Sequence, residues 1–401
     1  MMRDSKPFDW IDSQSQTMRS FLIELCNINS YSFHVAGVRR VIELIRSRLN
    51  KIADDVSLVE VPAARIYDDR GNPCERALSP CLVARKRADA HFRVLLNIHA
   101  DTVYPESSPF QQVKEIDSNT LNGPGVVDAK GGIVVLLAAL EAFEQSPLAA
   151  NIGWEVIINS DEEIGSPGSR DLLDEAAKRN QVGVLFEPAM AEGGLVSARK
   201  GSGNFTIVVR GRAAHAGRNF EEGRNAVVAA AEIALALDRA NARLMGTTIN
   251  VGRLVGGDAP NVVPDVATLI VNCRATEPAD VNRIQDVIFA AQLPVGMREG
   301  FSVQTYGSFS SMPKVLDEPT RSLLNIILDA GSSIGLKLKH GATGGASDGN
   351  RLAAAGLPNI DSLGPRGGQL HSDAEFIKLD SLTERAKLSL AVLCKLAENA
   401  G

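Results

Sequence analysis

Five stretches of this chain carry residue types that bind metal ions or move protons: His99-Ala100-Asp101, Asp128, Asp161-Glu162-Glu163, Glu187 and His371. A neutral imidazole ligates zinc well, and a nearby carboxylate can bond its other nitrogen and fix its orientation. Positions two apart on a strand point the same way, so His99 and Asp101 can share one site. By itself, H-x-D also fits a strand-end histidine satisfied by its neighbour. Asp128 lies in Asn122-Gly-Pro-Gly-Val-Val-Asp128-Ala-Lys-Gly-Gly132, a Gly-rich approach to an apolar helix. A carboxylate there is favoured by the helix dipole, and a simple capping role is equally open. The stretch lacks the G-x-x-x-x-G-K-[ST] spacing of a phosphate loop, and Asp128 would repel an anion. An acidic run is usually a solvated loop, yet three adjacent carboxylates repel one another unless cations neutralise them. Nitrogen and oxygen ligands without cysteine suit zinc, with manganese or cobalt as alternatives.

The elements around these residues place them together. RVLLNIHADTV, over 93–103, is a continuous apolar run ending in polar residues, as expected of a strand buried on both faces. A buried helix is predicted over 131–145, a central strand running into a Gly/Ser loop over 154–166, and a further strand over 182–189. Ligand sites in open α/β sheets gather beyond the carboxyl ends of strands, which is where these residues fall. From about Arg199 the pattern changes to β-α-β-β-α-β, with helices over 222–241 and 280–292, the order of a ferredoxin-like unit. The last stretch returns to alternating elements and ends in an amphipathic helix over 381–398. The expected architecture is an α/β domain of residues 1–198 and 314–401, with a mixed, largely parallel sheet. An α+β domain of residues 199–313 is inserted into it.

Whole-chain properties agree with an ordinary soluble protein of two domains. The chain has 401 residues, 44% hydrophobic and 22% charged, beyond the usual single-domain length. A net charge of -6 gives no electrostatic reason to expect nucleic acid. No apolar run approaches the roughly 20 residues needed to span a bilayer, and the first residues lack the apolar centre of a signal peptide. Cys26, Cys74, Cys81, Cys273 and Cys394 are odd in number and scattered, which fits ordinary thiols in a reducing, cytoplasmic compartment. The Cys74–Cys81 spacing is too wide for half of a zinc site.

In order along the chain, HADTV, NGPGVVDAKGG, DEEIGS, EP, GRAAHAG, GGASDGN and HSDAEF resemble the co-catalytic dizinc peptidases. That family includes glutamate carboxypeptidase, aminoacylase, acetylornithine deacetylase and succinyl-diaminopimelate desuccinylase, and the resemblance runs from about Leu95 to Glu375. It implies two zinc ions, one held by His99 and Glu187, the other by Glu163 and His371, with Asp128 bridging both. It further implies that Asp101 orients His99 and that Glu162 is the general base. The insert would be a lid and the seat of a homodimer, with His215 reaching the partner's active site. Asn261 and Arg274 match substrate-contact positions, and a guanidinium suits a carboxylate. Gly344 and Gly345 would line the pocket through their backbone.

Two departures bear on specificity. Glutamate at position 187 occurs in some branches of the family and aspartate in others. Met312 stands where glutamate carboxypeptidases carry an arginine before proline, which leaves a preference for C-terminal glutamate unsupported. GGASDGN and LGPRGGQLHS nevertheless look closest to the carboxypeptidase-like branch. The implied reaction is hydrolysis of an amide beside a carboxylate, in a dipeptide or an N-acyl amino acid. The alternatives are an acetylornithine-deacetylase-like biosynthetic enzyme and a catalytically silent metal-binding protein on the same fold.

Overall fold

The computed structural model describes residues 5–241 and 244–401. Its central sheet has six strands in the order Asp55–Val59, Cys81–Lys86, Gly153–Asn159, Arg93–His99, Val182–Leu185 and Asn359–Ile360. The last four run parallel, and Cys81–Lys86 is antiparallel to its neighbours. Every residue of Gly153–Asn159 and all but the first of Arg93–His99 are buried. That explains why neither strand alternates: both faces are covered by helices. Register then sets the site. His99 lies opposite Asn159 and Asn97 opposite Leu185, so three strands end at one edge and deliver Asp101, Glu162 and Glu187 to the same place.

The helix Lys130–Phe143 is apolar almost all round, because it lies between the sheet and a second layer formed by Asp380–Ala400 and the N-terminal helices. Each fully buried Leu, Ile or Val there contributes roughly 1.5–3 kcal/mol of transfer free energy. Gly132 sets how closely this helix approaches the strand that delivers Glu187. A Cβ at that position would sit 2.0 Å from the Phe186 carbonyl oxygen, so any side chain would force helix and strand apart.

A second sheet follows the expected β-α-β-β-α-β order, with strands Thr248–Gly256, Val266–Ala275, Gly201–Arg210 and Ser302–Ser311 side by side and all antiparallel. Helices Ala226–Asn241 and Pro278–Gly296 pack on one face and bury a separate apolar core of Ile207, Ile233, Leu269 and Ile284. The first helix begins later than its pattern predicts, because Phe220–Glu222 forms a short 3-10 turn instead.

The two chain crossings are bonded to one another. Arg199 and Lys314 exchange backbone hydrogen bonds of 2.9 and 3.0 Å. Asn350 donates to the carbonyls of both Lys200 and Met312. A third connection is a hairpin, Ala64–Tyr67 with Pro73–Arg76, which crosses from the first sheet to the second. Asp68 closes its tip by accepting from the backbone of Arg70 and Asn72. Asp69 then pairs with Arg253 through two bonds of 2.6 and 2.7 Å, and Tyr67 stacks on Tyr306 at 4.2 Å.

Candidate active site

His99 sits at the very end of its strand, 1% exposed. Its Nδ1 lies 3.0 Å from the Asp101 carbonyl and 3.3 Å from Asp101 Oδ1. Nδ1 therefore carries the proton as donor, and Nε2 is left facing inward. Nε2 meets Asp128 Oδ1 at 3.3 Å and Glu187 Oε1 at 3.8 Å. On the other side, His371 Nε2 lies 3.4 Å from Asp128 Oδ2 and 3.3 Å from Glu163 Oε2. Asp128 thus offers one oxygen to each histidine. It makes no cap to the following helix, whose N-cap is Ala129.

Asp101 ties the first strand to the acidic loop. Its carboxylate accepts from the backbone N–H groups of Glu162 and Glu163 at 3.1 and 3.2 Å, and from Ser32 Oγ at 2.6 Å. The acidic run is divided by this geometry. Asp161 turns away and accepts from Gly168 N, Ser169 N and Ser169 Oγ. Glu162 and Glu163 turn into a cavity of about 320 Å³ that Asp128, Glu187, Arg199 and His371 also line.

Electrostatics follow from crowding carboxylates in a buried space. Burial pushes the Glu162 carboxyl well above its usual range, with Glu187 and Asp348 adding to the effect and His99 opposing it. Burial, then the Asp128 charge, raises Glu163 to about 7. Burial also pushes Asp128 upward, but the facing His371 and His99 outweigh it and hold the carboxyl below its ordinary value. Burial disfavours a charged His99, yet Glu187, Asp101 and Asp128 outweigh it and raise the imidazolium well above normal. Asp128 and Glu163 raise His371 to about 10.

This donor set fits metal ions. Two ligand atoms about 2.0–2.1 Å from a tetrahedral zinc lie about 3.3–3.4 Å apart. Three of the four imidazole–carboxylate separations, at 3.3, 3.3 and 3.4 Å, match that spacing. His99, Asp128 and Glu163 each place a ligand atom within 4.8 Å of the others. A testable consequence concerns protons. Ligation requires neutral imidazole, whereas His371 in the protein alone keeps its proton until about pH 10. Zn²⁺ titrated at pH 7 is expected to release at least about one proton per chain, and affinity should rise with pH. Calorimetry in buffers of different ionisation enthalpy measures this, and a buffer-independent heat would contradict it.

The remaining expected contacts are distributed. Gly345 lines the cavity, and its carbonyl accepts from Arg199 Nη1 at 3.1 Å; Gly344 is not among the lining residues. Arg274, half-buried on the second sheet, is close enough to feel the Glu162 charge. His215 and Asn261 stand apart from the cavity, exposed on the inserted unit, where Ala216 N donates to the Asn261 carbonyl. Met312 packs its side chain against the core of the inserted unit. Sequence reasoning missed Arg199, whose buried guanidinium bonds Asp361 at 2.7 Å and faces the cavity. The signal was a charged residue at the end of LVSAR, a short strand with no other charge.

Residues 95–395 match the model of peptidase family M20/M25/M40. The chain belongs to this family. It is 25% identical to carboxypeptidase G2 of Pseudomonas sp. (strain RS-16), over 98% of this chain and 92% of that one. It is also 25% identical to the succinyl-diaminopimelate desuccinylase of Nitrosospira multiformis, over 71% of this chain and 76% of the relative. Its fold matches the M20 metallo-carboxypeptidase Sso-CP2 of Sulfolobus solfataricus with a TM-score of 0.75, at 16% identity, covering 95% of this chain and 99% of that one. This M20 protein is accordingly a hydrolase of peptide or amide bonds. No helix among the described residues is long and apolar enough to cross a membrane.

Proposed function

We propose that this chain is a dinuclear zinc carboxypeptidase-like enzyme or N-acyl-amino-acid amidohydrolase. The observation that carries the reading is the Asp128 carboxylate, which offers one oxygen to His99 and the other to His371. His99 and Glu187 would hold one ion, Glu163 and His371 the other, with cobalt or manganese as substitutes. Bound there, zinc polarises a carbonyl oxygen and lowers the pKa of water from 15.7 to about 7. Glu162 takes the proton from the attacking water and returns it to the leaving nitrogen. Its burial raises its basicity toward the range in which a carboxylate shuttles protons efficiently. Asp101 keeps the His99 ring in one tautomer.

Arg199 and Arg274 supply positive charge near Glu162 and Glu187, which favours a substrate with a free carboxylate. Residues 199–313 form the lid and the homodimer contact, and residues 1–198 with 314–401 form the catalytic unit. The apolar side chains of Val228, Leu235, Phe289 and Leu293, exposed on the two helices of the insert, support a partner on that face. His215 and Asn261, exposed and away from their own cavity, suit the partner's site. The cysteines are all free thiols, which agrees with a cytoplasmic location.

A panel of dipeptides, N-acetyl-, N-formyl- and N-carbamoyl-amino acids and acylglutamates tests the proposal. At least one carboxylate-bearing member should turn over at roughly 1–10³ s⁻¹ with zinc, cobalt or manganese supplied. No turnover of any member with any of the three ions overturns the reading.

A further inference from the structure

Glu375 is 1% exposed, lies four residues after His371, and takes no part in the chemistry above. Its Oε1 accepts from the backbone N–H groups of Val127 and Asp128 at 3.0 and 3.2 Å. Its Oε2 accepts from Gly125 N at 3.1 Å and from the Tyr104 hydroxyl at 2.7 Å. The loop around it is stitched to the same segment. The Glu375 carbonyl accepts from Gly123 N and Asn122 Nδ2, and Asn122 Nδ2 also bonds the Asp373 carbonyl. A buried carboxylate is costly unless fully bonded. This one is surrounded by donors, most of them from the short loop that ends at Asp128.

We infer that Glu375 is a positioning residue: it locks the loop bearing Asp128 to the loop bearing His371, so that the Asp128 carboxylate faces both histidines at once. The inference rests on the dinuclear reading. Its consequence is that Glu375 couples capture of the two ions, although it touches neither. Removing it would let the Asp128 loop settle toward one histidine, and the second ion would bind more weakly. Purely structural packing would instead lower stability and leave ion affinity unchanged.

Glu375→Gln keeps the size of the side chain but turns an amide N–H₂ toward N–H donors. In the variant without metal, the amides of Gly125, Val127 and Asp128 should lose protection from hydrogen exchange. Titration with Zn²⁺ should show the second equivalent weakened by about 10–100-fold, the range for residues that orient metal ligands. Lost protection with both equivalents within twofold of wild type overturns the inference. Asp128→Asn is the control. If that variant binds two ions as tightly as wild type, the dinuclear reading and this inference fall together. Loss in Asp128→Asn with none in Glu375→Gln overturns this inference alone. Should Glu375→Gln not fold, Tyr104→Phe decides, since it removes one donor from the same carboxylate. A several-fold weaker second equivalent supports the role, and unchanged affinity overturns it.

Discussion

Glutamine in place of Glu162 is expected to leave metal content and fold intact and to reduce kcat by about 10²–10⁴-fold, the usual contribution of a general acid–base group. Asp161 is consumed by the turn at Gly168 and Ser169, and Glu163 faces His371. Glu162 is left in the cavity with no imidazole among the described residues bonded to it, in a site where burial and neighbouring carboxylates favour its protonated form. A group in that setting can take a proton and return it. The amide of glutamine preserves its volume and can do neither. The backbone N–H that bonds Asp101 is untouched by the change, so the His99 side of the site should hold its geometry. Metal analysis beside steady-state kinetics decides. Activity within about tenfold of wild type, with metal retained, removes Glu162 from proton transfer. Loss of one ion would make it a ligand instead.

The parts of the site legible in the sequence were those governed by strand ends. Apolar runs finishing in His99, in Asp161-Glu162-Glu163 and in Glu187 marked parallel strands, and parallel register brought their ends to one edge without further information. The division of labour within the acidic run was different. Three consecutive acids look alike in sequence, and only the turn that engages Asp161 separates them. Glu375 was within a recognised stretch, HSDAEF, yet its partners lie about 250 residues earlier in the chain. The hairpin of residues 64–76 was equally hidden, since its tip is made of ordinary turn formers and the partners of Asp69 and Tyr67, Arg253 and Tyr306, belong to the second sheet. Periodicity reports local faces. It carries no signal for a contact whose two halves are remote in sequence.

His215→Ala is expected to give the second large effect, one that tests catalysis and assembly together. Its short strand pairs Val262–Val263 on the inserted unit, and the His215 ring is exposed and accepts from Gly217 N at 3.1 Å. Within one chain it stands apart from the cavity that holds Asp128 and Glu162. If it stabilises the tetrahedral oxyanion in the partner's cavity, the role that the family resemblance implies for it, His215→Ala should fold, bind metal and still lose about 10²–10³ in kcat, the cost of one oxyanion donor. A mixed dimer sharpens the test. One chain carries Glu162→Gln and the other His215→Ala, so both homodimers are nearly inactive. In the heterodimer, the chain that keeps Glu162 faces a partner that keeps His215, and that one site is complete. Purified heterodimers should therefore recover about half the wild-type activity, since a two-fold interface presents two equivalent sites. A histidine acting within its own chain gives no recovery, because every chain in the mixture then lacks one of the two groups. Full activity in His215→Ala alone would exclude the residue altogether. Recovery in the heterodimer would locate the site between two copies, which would make the dimer the smallest active form of the enzyme.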